Sequence, residues 1–153
     1  MVSQTVIYKQ QYAWQCWSYA TLNCLQRLWV KVTEQEVLSW WSMLWFPDID
    51  RTLRKYKKWQ LGYLKNKNLV ESFLRRGIPL IALIYRNNFN STRYAPYLQD
   101  FRGKMNHFVC LVEDCGNKFK VVDQQGENFG DKGYWYIDKK DFSKIKVARC
   151  LNV

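Results

Sequence analysis

The sequence predicts an α+β domain built from segregated helical and β layers. Three observations carry this: helical periodicity fills the first half, the period changes after Gly77, and short alternating runs fill the remainder. Residues 5–8 (Thr-Val-Ile-Tyr) are expected as a short strand or extended lead-in. From Cys16 to about Trp29, apolar residues at 17, 20, 24, 25 and 28 recur at helical spacing, which predicts a largely buried helix. Thr33-Glu34-Gln35-Glu36 is a capping box, with Thr33 placed to accept from the Glu36 N–H and Glu36 placed to reach back. The helix it opens is expected to run through Val37, Leu38, Trp40 and Trp41 toward Trp45 and to stop before Pro47. Residues 50–60 and 68–76 are two further helices, the second with Asn68 as N-cap and Gly77 as its stop.

Pro79 to Tyr85 is a continuous apolar run of strand length, as a central strand requires. Residues 86–105 are expected as a long polar and aromatic loop. His107 to Glu113 alternates as a strand, turns at Cys115-Gly116-Asn117 and returns over Phe119 to Asp123. Gln124 to Gly133 is a Gly-containing loop, and strands over Tyr134–Asp138 and Lys144–Leu151 complete the β half. No internal repeat or low-complexity linker interrupts the chain.

Its 153 residues suffice for one domain with a real core, and 48% apolar residues with 8 Trp, 10 Tyr and 8 Phe exclude disorder. No apolar run approaches the roughly 20 residues that span a bilayer. Met1-Val2-Ser3-Gln4-Thr5 has neither a basic cluster nor a long apolar stretch, so no signal peptide is expected. The expected location is the cytoplasm, or a viral or microbial particle. Five cysteines (16, 24, 110, 115, 150) are an odd number and fit no complete disulfide framework. Cys24, Cys110 and Cys150 lie in apolar or alternating segments and are expected as buried inert thiols. No CxxC pair exists and only one histidine is present, so neither a metal nor another cofactor is expected.

The net charge of +11 is compatible with an anionic partner such as nucleic acid, an acidic polymer or a membrane surface, but does not by itself decide for one. The densest run, Arg51–Lys67, holds seven Lys/Arg and no acid, with Tyr56, Trp59 and Tyr63 interleaved. The competing reading is a solvated basic helix whose aromatics face the core.

The stretch with most chemical content is Gln10-Gln11-Tyr12-Ala13-Trp14-Gln15-Cys16-Trp17-Ser18-Tyr19-Ala20. It sets a cysteine where a helix begins, and the unpaired N–H groups of a helix N-terminus favour thiolate, the nucleophilic form. His107 is the sole histidine, so cysteine–histidine chemistry has a single possible base. Asp123 ends the strand that follows, sixteen positions later, and a hairpin turning at 115–117 sets the two side by side. A nucleophile at a helix start, an imidazole on a strand and a group to orient it form a generalised triad. The Gln10 amide, with the Cys16 backbone N–H, is a candidate donor to a developing oxyanion.

The order Gln10…Cys16-Trp17-Ser18-Tyr19 resembles the active-site segment of papain-like cysteine peptidases. Val32-Thr33-Glu34-Gln35-Glu36-Val37 resembles the opening of that family's second helix, and Asn106-His107-Phe108-Val109 its histidine strand. Gly126-Glu127-Asn128-Phe129-Gly130-Asp131-Lys132-Gly133-Tyr134 resembles its Gly- and aromatic-rich loop and final strand. The resemblance implies a two-lobed fold, with a helical lobe over about 10–76 and a β lobe over about 77–153 joined by the N-terminal strand. It implies Cys16 as nucleophile, His107 as general base and then acid, Gln10 in the oxyanion hole, and Asp123 where the family usually has Asn. Trp17 and Phe129 are expected to pack around the site rather than react, and Glu127 and Asp131 to be loop acids. Tyr12-Ala13-Trp14-Gln15 replaces the family's Gly-rich approach to the nucleophile, and its substrate-pairing Gly-Gly segment has no counterpart.

The expected activity is therefore hydrolysis of peptide bonds in a peptide or protein substrate by a thiol endopeptidase. Two alternatives fit the same residues. One is a related thiol hydrolase or acyl transferase acting on leader, isopeptide or cell-wall peptides. The other is a catalytically silent module that uses the basic surface for binding.

Overall fold

The computed structural model describes residues 16–39, 46–57, 59–85, 107–123 and 131–152. Three helices come first: α1 (Cys16–Arg27), α2 (Glu34–Leu38) and α3 (Phe46–Lys57). They are followed by β1 (Trp59–Leu64), α4 (Lys67–Arg75), β2 (Leu80–Ile84), β3 (His107–Asp114), β4 (Lys118–Val122) and β5 (Tyr134–Asp138). A 3-10 turn over Lys139–Lys144 leads into β6 (Ile145–Asn152). The strands form one six-stranded antiparallel sheet in the order β1-β6-β2-β3-β4-β5.

Helices cover both faces of this sheet, and the two-residue period of each strand divides its side chains between two cores. Ile81 and Leu83 of β2, Phe108 and Cys110 of β3, and Ala148 and Cys150 of β6 face α1 and α3. There they meet Tyr19, Leu22, Leu25, Ile49 and Leu53. Leu80, Ala82 and Ile84, with Val109, Leu111, Val121, Trp135 and Ile137, face Val70 and Leu74 of α4. Every residue of β2 is buried, which is why its sequence is an unbroken apolar run rather than an alternation.

Several boundaries depart from the sequence expectations. The helix expected over 50–60 ends at Lys57, and residues 59–64 form β1 instead. Trp59, Leu61 and Tyr63 repeat with period two, and Gly62 is a poor helix residue. In the strand Gly62 has a packing role, since a Cβ there would sit 2.9 Å from Leu151 Cδ1 on β6. A stretch N-terminal to residue 76 thus belongs to the sheet.

Thr33 caps α2 as expected, accepting from the Glu36 N–H at 3.1 Å. The Glu36 carboxylate, however, pairs with Lys57 at 2.6 Å, which ties α2 to α3. The helix ends at Leu38, and Pro47 stands in the first turn of α3 instead of terminating α2. That location suits a residue with no N–H to donate. The N-cap of α4 is Asn66 rather than Asn68: its side chain accepts from the Asn68 N–H at 2.8 Å. Gly77 follows the helix with φ 77°, the left-handed stop its sequence position calls for. Strands β3, β4 and β5 lie within a residue of their expected limits. The expected strand at 5–8, the residues 40–45 over which α2 was expected to continue, and the loop at 86–105 fall outside the described residues.

Candidate active site

Cys16 is the first residue of α1, at the end where the helix presents its unpaired N–H groups. α1 packs across β3, and Cys16 is among the groups that act on His107 at the beginning of that strand. His107 is the opening residue of β3 and pairs with Ile84 of β2. Asp123 directly follows β4. Cys110 pairs with Val122, so one further step of the ladder sets Asp123 opposite Val109. His107, two residues on and on the same side of the pleat, is its diagonal neighbour.

The side chains complete that contact. His107 Nε2 lies 3.1 Å from both Oδ1 and Oδ2 of Asp123. Histidine is 1% exposed and aspartate 0%, so water does little to screen the pair. Burial by itself lowers the imidazole pKa. The Asp123 charge and hydrogen bond, with a further contribution from Cys16, outweigh it and raise His107 to about 9. At neutral pH the ring is an imidazolium that gives its Nε2–H to the carboxylate. Nδ1 is then the nitrogen left to serve the Cys16 sulfur.

Asp123 is held from two further directions. Its backbone N–H donates to Gly133 O at 3.3 Å, and Trp135 Nε1 donates to Oδ2 at 2.9 Å. The first contact comes from a tight turn in which Asp131 and Tyr134 exchange backbone hydrogen bonds of 2.8 and 3.0 Å. Lys132 and Gly133 take positive φ at its centre (54° and 91°), the geometry that joins twisted strands. Asp131 thus acts through its backbone in shaping the turn.

Trp135 was read from the sequence only as a strand residue. Its signal was the two-residue period: Val121 pairs with Trp135, so Trp135 faces the same side as Asp123, two positions along β4. The structure therefore brings Cys16, His107, Asp123 and Trp135 together. Gln10, Asn106, Glu127 and Phe129 lie outside the described residues, as does the side chain of Trp17.

The other buried thiols form a separate group. Cys24 Sγ lies 3.9 Å from Cys150 Sγ and 3.6 Å from the Pro79 carbonyl oxygen. Hydrogen bonding to Cys110 and Cys150, with burial, pushes the Cys24 thiol well above its ordinary range. Cys24, Cys110 and Cys150 are free and buried. Among the described residues, no group of three His, Cys, Asp or Glu is arranged to hold a metal ion.

No family model matches this chain, and no curated protein matches its sequence. A solved structure from a study of the mite allergens Blo t 1 and Der p 1 is similar to it, with a TM-score of 0.59. That match covers 96% of this chain and 67% of the other, at 14% sequence identity. The fold is papain-like. No described helix is long and apolar enough to cross a membrane.

Proposed function

We propose that this chain is a compact papain-like cysteine peptidase acting on peptide or protein substrates. The observation that carries the reading is the buried His107–Asp123 pair, with both carboxylate oxygens 3.1 Å from Nε2, beside a cysteine that begins a helix. A carboxylate on one ring nitrogen fixes the imidazole in orientation and leaves the other nitrogen to exchange a proton with substrate. The papain-like fold supports the same reading.

In the proposed reaction the Cys16 thiolate attacks the scissile carbonyl carbon and the C=O electron pair moves onto oxygen. The Cys16 backbone N–H and the Gln10 amide stabilise that oxyanion; one such donor is typically worth about 3 kcal/mol in the transition state. His107 gives its proton to the departing amine, the C–N bond breaks and a thioester remains on Cys16. Water then attacks the thioester while His107 takes its proton, releasing the acid and restoring the imidazolium–thiolate pair.

The test is hydrolysis of an unbiased peptide library, with labelling by an epoxysuccinyl thiol inhibitor. Cys16→Ala is expected to abolish both while preserving the circular dichroism of the parent. Hydrolysis retained in that variant overturns the assignment.

A further inference from the structure

Positive charge is unevenly divided along the chain. Residues 46–77 and 145–152, which build α3, β1, α4 and β6, carry eleven Lys/Arg against three Asp/Glu. Residues 107–144, which build the β3–β5 end, carry six against seven. Residues 46–77 and 145–152 thus hold a net +8 of the chain's +11. Asp50 and Glu71 are already engaged. Asp50 accepts from Arg54 Nε at 2.9 Å and from the Leu61 N–H at 2.7 Å, and Glu71 pairs with Arg75 at 3.2 Å.

The aromatics of the basic run do not all face the core. Tyr56 on α3 is 48% exposed and Tyr63 on β1 is 45% exposed. Each carries a lysine ammonium over its ring: Lys55 at 5.0 Å from the Tyr56 centroid and Lys146 at 4.7 Å from that of Tyr63. Lys65, between β1 and α4, and Lys67, the first residue of α4, are exposed as well. A solvated basic helix whose aromatics face the core requires neither exposed ring.

Cations along an edge neutralise backbone phosphates, and exposed rings offer stacking platforms to bases not already stacked in a duplex. We propose that this edge binds single-stranded nucleic acid, with phosphates on Lys55, Lys65, Lys67 and Lys146 and bases stacked on Tyr56 and Tyr63. Unstacked bases distinguish this ligand from an acidic peptide, which has no π faces, and from a duplex, whose faces are already occupied. The surface is separate from the His107–Asp123 pair, so binding does not require Cys16 chemistry.

The experiment is fluorescence anisotropy of labelled oligothymidylate with the full chain between about 50 and 200 mM salt. The wild type and Cys16→Ala are expected to bind equally, with affinity falling steeply as salt rises. The triple variant Lys55→Glu/Lys65→Glu/Lys146→Glu is expected to lose roughly 100-fold in affinity and to flatten the logarithmic salt slope by about 2, near 0.7 for each lost phosphate contact. Tyr56→Ala/Tyr63→Ala is expected to lose roughly tenfold or more with the slope unchanged. Lys118→Glu/Lys140→Glu, which removes two exposed lysines at the β4–β5 end, is expected to bind as the parent does. The proposal is overturned by no binding at the lowest salt, by equal competition from duplex or polyglutamate, or by a tyrosine variant that binds as well as the parent.

Discussion

Cys16 and Cys24 lie on one helix, two turns apart, and burial hardly separates them: 4% and 0% exposed. Their partners differ. Cys16 meets an imidazole that Asp123 holds in its charged form, while Cys24 meets two other thiols and a backbone carbonyl. Thiols bonded to thiols gain no charge to stabilise sulfur as an anion, and burial then works against ionisation. The pair teaches that two cysteines buried alike on one element are set apart by the partners the adjoining sheet brings to each sulfur.

The largest expected effect follows from that contrast. At pH 6, iodoacetamide with peptide mapping is expected to alkylate Cys16 at least roughly 100-fold faster than Cys24, whose thiol its partners and burial push well above the ordinary range. Comparable rates at the two positions would remove the distinction between them.

Asp123→Asn sharpens the comparison by removing one charge while keeping the shape. Asp123 raises His107, so its neutralisation lets burial dominate and the histidine pKa falls. Hydrolysis is expected to persist, with the alkaline limb of kcat/KM moving from near 9 toward 6.5. The linkage sign agrees. A raised histidine pKa stabilises the parent fully below about 6.5 and loses that contribution as pH climbs through about 9, so thermal stability falls over this window. The variant is expected to show little of that fall. An alkaline limb still near 9 would mean that Asp123 does not set the histidine charge.

Much of this site was legible in the sequence because its parts are scarce. One histidine, one cysteine at the start of a helical period and one aspartate at the far side of a short hairpin leave few pairings. The 107–123 separation works because the hairpin turns at 115–117, and the observed register delivers the diagonal contact. The β1 strand was less legible, since its period of two is short and follows directly on a strong helical pattern in α3. The Asn66 cap was missed because a second asparagine two residues later offers the same chemistry. Trp135 was hidden for a different reason. Its indole acts only through the β4–β5 pairing, and that register is set by the turn at Asp131–Tyr134 rather than by any local composition.

The smallest expected effect concerns that indole. Trp135→Phe keeps an aromatic ring on β5 but removes the N–H that donates to Asp123 Oδ2 at 2.9 Å. The Asp123 charge remains, so the alkaline limb is expected to stay near 9. What changes is orientation: the carboxylate loses one of its two side-chain donors among the described residues, and the imidazole is held less firmly toward Cys16. A hydrogen bond to a charged group is worth about 1.5–3 kcal/mol, and part of that loss appears as reduced stability. The remainder is expected to lower kcat several-fold with KM unchanged, and to slow Cys16 alkylation by a similar factor while Cys24 stays unreactive. Measured well below the melting temperature, a purely structural role for Trp135 would change stability alone. A positioning role changes the ratio of the two alkylation rates.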